Sequence, residues 1–151
     1  MIQRIQSIYL LLVAVLMCVT VTSPLASFID VNGGILQLEG LGIFQDAQKV
    51  YPTWGIISVG LLSAFIAFLE IFSYKNRKKQ IRLSVVNLFL ILFFYVTSVV
   101  YAYFGQQSMG IVFDKISYGS VLPVIAFVFN LLALAKIKKD EKLVRSLDRI
   151  R

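Results

Sequence analysis

A short basic run, residues 75–82, lies between two long apolar segments and limits what this chain can fold into. Five of its eight residues are Lys or Arg. Each of these side chains costs about 2.5 to 3.5 kcal/mol at the centre of a bilayer, so the run cannot lie in hydrocarbon. We therefore predict a turn at the membrane edge. Because short basic loops stay in the cytoplasm, this turn also orients the apolar segments around it.

The apolar content indicates an integral membrane protein. Of the 151 residues, 58% are hydrophobic and 15% are charged, which is outside the range of ordinary soluble domains. Crossing about 30 Å of hydrocarbon takes about 20 helical residues. Four stretches approach or exceed that length: residues 5–26, 54–74, 83–104 and 116–135. The predicted fold is one all-α membrane domain over residues 1–151, a bundle of four transmembrane helices.

The charges divide unevenly between the two ends of this bundle. The segments assigned to the cytoplasm carry 13 of the 15 cations and four of the eight anions. The opposite side carries the other two cations and four anions. Since cytoplasmic loops hold the excess of Lys and Arg in membrane proteins, we predict that both termini are cytoplasmic.

The first apolar segment fits two interpretations. The positive charge at Arg4, the apolar core and the small residues from Ser23 onward resemble a secretory signal. Its apolar stretch exceeds the roughly 7 to 15 residues of a typical signal core. We therefore expect the segment to be retained as a helix whose outer end is marked by Pro24.

Residues 27–53 form the longest polar interruption and predict an extracytoplasmic loop that resembles a β-hairpin. Residues 28–31 and 35–39 have strand character and flank Asn32-Gly33, a pair that supplies the positive φ angles of a tight turn. A lone hairpin is marginal in water, so we expect it to lie on the outer ends of the helices. Residues 105–115 are too few for a domain and are predicted to be a loop.

The tail, residues 136–151, predicts a cytoplasmic amphipathic helix. Leu143, Leu147 and Ile150 recur at i, i+4 and i+7 among many charges. Such a helix can lie on anionic headgroups or dock on a partner protein, and both interpretations remain open. RNA is not expected as a partner, because acids are interspersed and aromatic residues are missing from the tail.

Small residues in the second apolar segment predict a close helix contact. Gly60 and Ala64 are four residues apart, as are Ser63 and Ala67, so one helical face can approach a neighbour closely. We expect this seam to pack within the bundle. A homo-oligomer built on the same face remains an alternative.

Three polar residues within the predicted spans form the candidate site. Glu70, Asn87 and Asn130 each lie five or six residues inside the cytoplasmic edge, so at about 1.5 Å per residue they share a depth of some 7 to 9 Å. An ionisable residue inside a membrane is a candidate functional site. We favour a structural clamp between helices, and a proton or ion relay is the alternative.

Catalytic chemistry has little support in the sequence. The chain has no His and one Cys, Cys18, so a zinc site built from those ligands is excluded. No Gly-rich phosphate loop and no Ser/His/Asp set is present. We therefore expect no enzyme activity, no catalytic residue, no metal and no cofactor.

The two ends of the chain carry a family resemblance. Residues 1–12 (MIQRIQSIYLLL) and 139–151 (KDEKLVRSLDRIR) resemble the ends of an uncharacterised Bacteroidota family, domain of unknown function 4293. The resemblance covers the whole chain and implies a small, four-span protein of the bacterial inner membrane. It implies no activity and no functional residue.

These observations predict a non-enzymatic accessory or scaffold subunit whose basic cytoplasmic face binds a membrane-associated assembly. A small transporter or channel subunit using Glu70 is the runner-up, and a lipid-sensing regulator is a further alternative. The expected partners are membrane lipids with anionic headgroups and a protein on the cytoplasmic side. The predicted interaction face consists of Arg4, Lys75, Arg77, Lys78, Lys79, Arg82, Arg145, Asp148, Arg149 and Arg151.

Overall fold

The structure, a computed structural model, describes the backbone of residues 2–148 and the side chains of residues 5–74, 76–144 and 146. That part of the chain forms four α-helices, five strands and two short 3₁₀ helices. The α-helices are α1 (Ile2–Val21), α2 (Trp54–Phe72), α3 (Arg77–Met109) and α4 (Leu122–Asp148). The strands are β1 (Ala26–Ile29), β2 (Ile35–Leu38), β3 (Gly42–Gln45), β4 (Gln48–Pro52) and β5 (Val112–Ile116). The 3₁₀ helices are Ser73–Lys75 and Tyr118–Ser120.

The helices form a bundle in which each packs against two others. α1 and α3 each contact both α2 and α4. Three helical segments are long and apolar enough to cross a membrane: Trp54–Phe72, Arg77–Met109 and Tyr118–Val144. A shorter apolar stretch, Ile5–Val21, lies in α1. The mostly helical, apolar architecture agrees with the sequence prediction.

The small residues of α2 pack inside this bundle, as predicted. Gly60, Ser63, Ala64 and Ala67 are all buried. A Cβ atom at Gly60 would meet Val21 of α1 and Phe94 of α3. The seam therefore brings three helices close together within one chain.

A five-stranded antiparallel sheet corrects the prediction of an all-α fold with a hairpin-like loop. Its strand order is β4-β3-β2-β1-β5. The four strands between α1 and α2 pair in sequence, and β5, between α3 and α4, adds to the free edge of β1. Because these two connections leave the same end of the bundle, the sheet lies at that end.

The predicted hairpin exists, with different bounds and a wider turn. β1 pairs with β2, and the pairing ends with Ile29 opposite Ile35. The sequence instead predicts a first strand that continues to Val31. The connecting residues 30–34 place only Gly33 at positive φ, +80°. A second hairpin, β3–β4, turns through Asp46 (φ 47°) and Ala47 (φ 64°). Two consecutive positive φ angles are the requirement of a tight type I′ turn.

Residues 105–115, predicted to be a loop, are divided between a helix and a strand. α3 continues to Met109 and ends at Gly110, whose φ of 65° is the left-handed conformation that glycine adopts at helix ends. β5 then uses Ile116, the predicted first residue of the fourth span. α4 begins at Leu122, so Pro123 lies in its first turn, where the missing N–H needs no partner.

The two segments predicted to be cytoplasmic, the basic run and the tail, have different boundaries in the structure. Most of the basic run forms the start of α3 rather than a loop, because Asn76 caps the helix by accepting a hydrogen bond from the Lys79 N–H at 3.2 Å. The tail was predicted as a separate amphipathic helix. Up to Asp148 it is instead an unbroken continuation of α4.

Candidate functional site

A group of buried polar side chains joins three helices near the end opposite the sheet. Its members are 0 to 4% exposed. We call this group the polar cluster: Ser63, Glu70, Gln80, Ser84, Asn87 and Asn130. Polar groups in such surroundings are costly without hydrogen-bond partners, so their pairing determines what the site can do.

The antiparallel arrangement of α2 and α3 aligns these residues. Glu70 lies near the end of α2 and faces Ser84 near the start of α3. Ser63, two turns earlier on α2, faces Asn87, one turn later on α3. Asn130 reaches the same region from α4. Glu70, Asn87 and Asn130, for which the sequence predicts a common depth, all lie in this region.

Ser84 lies at the centre of the polar cluster. Its hydroxyl donates to the Glu70 carboxylate. Its backbone carbonyl accepts a hydrogen bond from Asn130 Nδ2 at 3.2 Å. One residue of α3 thus ties α2 and α4 together, and it connects Glu70 with Asn130, which do not bond each other.

Two further bonds complete the network. Ser63 Oγ donates to Asn87 Oδ1 at 2.6 Å, and Gln80 Nε2 donates to the Glu70 backbone carbonyl at 3.3 Å. Ser84, Ser63 and Gln80 were not predicted as polar partners from the sequence. Ser84 precedes Asn87 by three residues, so a search for polar residues on one helical face could have found it.

Three atoms of the polar cluster lack a hydrogen-bond partner among the described residues. They are Glu70 Oε2, Asn87 Nδ2 and Asn130 Oδ1. They belong to the three residues of the candidate site predicted from the sequence. The two oxygens can each accept a hydrogen bond, and the amide nitrogen can donate one.

A second buried polar contact lies closer to the ends of the helices. Gln6 of α1 donates to the Asp140 carboxylate of α4. Beside this pair is a cavity of about 10 Å³, lined by Gln6, Ser7, Tyr74, Arg77, Gln80, Ile137 and Asp140. That is room for about one water molecule. Gln80 belongs to both this cavity and the polar cluster.

The predicted cytoplasmic interaction face is partly described. Lys78, Lys79 and Arg82 are exposed and Arg77 is half-buried. The side chains of Arg4, Lys75, Arg145 and Asp148, and the whole of Arg149 and Arg151, lie outside the described residues. Further exposed residues extend the face along α4, namely Lys136, Lys138, Lys139, Lys142, Leu143 and Val144.

The sheet end carries different chemistry. Burial raises the pKa of the Glu39 carboxyl above its ordinary value. Trp54, at the start of α2, is exposed, and Lys49 Nζ lies 5.0 Å from the centre of its ring. Tyr101 also lies at this end, where its hydroxyl accepts a hydrogen bond from the Gly55 N–H at 3.1 Å. Tyr101 therefore joins α3 to the start of α2.

Within the described part of the chain, no group of three His, Cys, Asp or Glu side chains could hold a metal ion. Cys18, exposed on α1, is the single cysteine of the chain. The functional groups of the polar cluster are therefore hydrogen-bonding hydroxyls and amides and one carboxyl group, that of Glu70.

A comparison with protein families matched residues 2–150 to a family model described as "Domain of unknown function (DUF4293)". Searches of curated proteins and of solved structures found no match.

Proposed function

The chain belongs to the family of domain of unknown function DUF4293, and we propose that it is a four-span accessory subunit of the bacterial inner membrane. In this proposal both termini and the ends of α2 and α3 that flank Asn76 are cytoplasmic. The sheet then lies on the other side. The protein catalyses no reaction and binds a membrane-associated assembly through its basic face.

The packing of α1 supports the fourth span. α1 has 20 residues, about the number needed to cross the hydrocarbon as a helix. It contacts both α2 and α4, which are long and apolar enough to cross. Its outward side chains are apolar, including Ile8, Leu11 and Val15, each about half exposed. This surface suits lipid.

The distribution of charge supports the orientation. Exposed cations collect at the start of α3 and along the end of α4, away from the sheet. Short basic segments of this kind stay in the cytoplasm. Anionic lipids of the cytoplasmic leaflet attract each such cation by about 1 kcal/mol.

The single observation that carries the accessory role is that buried polar groups of the bundle form hydrogen bonds between its own helices. Ser84, Glu70 and Asn130 join helices to one another, as a clamp does. The exposed cations Lys139 and Lys142, by contrast, precede the exposed apolar residues Leu143 and Val144 on α4. A surface of that composition suits anionic headgroups and an acidic protein partner.

Site-specific photo-crosslinking tests the accessory role. A benzoylphenylalanine at Lys138 should yield one discrete heavier species in membranes, whereas the same group at Val31, in the β1–β2 turn, should not. Replacing Lys78, Lys79 and Arg82 with Gln should remove that species. Replacing Lys49 and Lys115 at the sheet end is the matched control and should leave it unchanged. Crosslinks of equal yield at both ends would contradict the proposal.

The unpartnered atoms of the polar cluster favour a second candidate, a subunit that passes protons or ions at Glu70. Glu70 Oε2, Asn87 Nδ2 and Asn130 Oδ1 are buried and have no bond among the described residues. Toward the sheet, however, the bundle core is apolar, with Ile56, Ile91 and Phe94 fully buried. Flux in proteoliposomes that Glu70→Gln abolishes would support this candidate, and no flux would support the accessory role.

A further inference from the structure

The sheet has a hollow on the face that is turned away from the helix bundle. Its volume of about 540 Å³ is within the range of about 300 to 1,000 Å³ for ligand pockets. The side chains of Leu36 and Leu38 point to the opposite face of β2 and are buried in the core. The hollow is therefore separate from the polar cluster. Its lining residues are Ile35, Gln37, Glu39, Phe44, Asp46 and Ala47.

The strand register sets the order of the side chains along the hollow. Ile35, Gln37 and Glu39 share one face of β2, because successive side chains of a strand alternate between faces. Phe44 lies opposite Gln37 on β3. The same register brings Asp46 level with Ile35. Since four residues of a strand span about 13 Å, the carboxyl groups of Glu39 and Asp46 lie at opposite ends of the hollow.

Both cations of the sheet end are held outside the hollow. Lys115 lies on β5, with its Nζ 4.0 Å from the carboxylate of its neighbour Asp114. Lys49 lies on β4, where its aliphatic stem packs against Gly42. Its ammonium is 5.0 Å from the centre of the Trp54 ring. Neither cation lines the hollow.

Two of the four acids at this end have partners, and the two that line the hollow do not. Asp30 accepts two hydrogen bonds within the β1–β2 turn, and Asp114 lies beside Lys115. Glu39 and Asp46 form no ion pair with any residue that the structure describes. Burial raises the pKa of the Glu39 carboxyl, whereas a paired cation would lower it. The hollow therefore presents two uncompensated carboxyl groups.

The order of these groups fits a linear cation with aliphatic segments. Ammonium groups at its two ends can bind Glu39 and Asp46, while its methylenes lie on Ile35. Midway between the acids, the Gln37 amide oxygen can accept a hydrogen bond from a central ammonium. The ring of Phe44 attracts the same charge. One metal ion does not fit, because carboxyl groups this far apart cannot coordinate it together.

We propose that this hollow binds one linear aliphatic polyamine, with its terminal ammonium groups at Glu39 and Asp46. In the orientation proposed above, the hollow faces the extracytoplasmic solution. The inference does not depend on the accessory role. Recognition comes from the spacing of the two carboxyl groups and from the apolar surface between them.

Equilibrium dialysis of the full chain with radiolabelled spermidine tests the proposal. The protein is held in phosphatidylcholine nanodiscs, because that lipid has no net charge. We expect one spermidine per chain. Ile35→Lys places a competing cation in the hollow and should abolish binding. Val112→Lys adds the same charge on the same face two strands away, outside the hollow, and should retain binding. Since the native side chains are 61% and 69% exposed, both variants should fold.

The carboxyl groups have their own variants. Glu39→Gln and Asp46→Asn should each weaken binding about threefold, the effect of losing one exposed ion pair. Asn is among the residues that most readily adopt the positive φ found at Asp46, so the turn should be kept. Asp114→Asn removes an acid outside the hollow and should leave the affinity unchanged.

Four results would overturn the proposal. They are no spermidine binding, equal weakening by Asp114→Asn and Glu39→Gln, equal binding of ethylenediamine, which is too short to reach both carboxyl groups, and tighter binding of a dibasic peptide, which would assign the hollow to a protein segment. A failed crosslink at Lys138 would leave spermidine binding intact. The two proposals can therefore fail separately.

Discussion

Ser84 on α3 donates its hydroxyl to the carboxylate of Glu70 on α2, and both side chains are fully buried. The same serine accepts a hydrogen bond from Asn130 of α4 through its backbone carbonyl. A serine inside an apolar helix thereby organises contacts among three helices. The stability of the bundle should depend on this residue more than its small size suggests.

Removing the Ser84 hydroxyl should destabilise the bundle. Ser84→Ala leaves a Glu70 carboxylate oxygen without its donor while keeping the backbone bond to Asn130. Hydrogen bonds between membrane helices average about 0.6 kcal/mol and reach about 1.7 kcal/mol, so we expect a loss of about 1 kcal/mol in thermal unfolding in detergent. Ser58→Ala removes an exposed hydroxyl bonded within α2 and should change the melting temperature little. Equal effects of both variants would contradict the central role of Ser84.

The clamp interpretation makes a different prediction for Glu70. Glu70→Gln keeps an oxygen that accepts the Ser84 hydroxyl and removes an ionisable group from the buried interior of the bundle. We expect stability equal to or above that of the unmodified chain. Glu70→Ala loses the bond and leaves a cavity, and should cost about 2 kcal/mol. Unfolding in detergent distinguishes the two, and a Glu70→Gln variant as unstable as Glu70→Ala would argue against a clamp.

Gly60 should tolerate little enlargement. Its missing side chain makes room for Val21 and Phe94, so Gly60→Leu overpacks the junction of α1, α2 and α3. Overpacking of this kind costs about 1 to 3 kcal/mol. Val86→Leu adds bulk at an exposed position of α3 and is the control. Gel filtration and thermal unfolding should separate the two variants, and full tolerance of Gly60→Leu would show that the seam can open.

Thiol labelling should establish the orientation of the bundle. In a background with Cys18→Ser, Val31→Cys places a thiol in the β1–β2 turn, where the native side chain is 86% exposed. An impermeant maleimide should label it in intact cells with the outer membrane opened. Lys138→Cys, at the basic end of α4, should react only after the inner membrane is permeabilised. The reverse pattern would invert the proposed topology.

Local sequence signals predicted some strands and missed others for identifiable reasons. Asn32-Gly33 indicated the β1–β2 hairpin, because glycine readily adopts positive φ. The β3–β4 turn was missed because it places Ala47 at φ 64°, a conformation that alanine rarely adopts. β5 was missed because its partner, β1, is more than 80 residues away in the chain.

The candidate site was likewise predicted only in part from the sequence. Counting residues from the basic segments predicted that Glu70, Asn87 and Asn130 share a depth, because rise per residue is constant in a helix. Counting could not show that Glu70 and Asn130 meet through Ser84 or that Asn87 pairs with Ser63. Those partners depend on how far each helix is rotated about its axis.

By itself the sequence determined a largely helical, apolar bundle with its basic residues gathered at one end. It could do so because hydrocarbon thickness and the cost of burying charge act on each segment independently of the others. Only the tertiary structure decided the sheet order and the partners within the polar cluster. Each of these depends on residues that are distant in the chain and are brought together only when the helices pack.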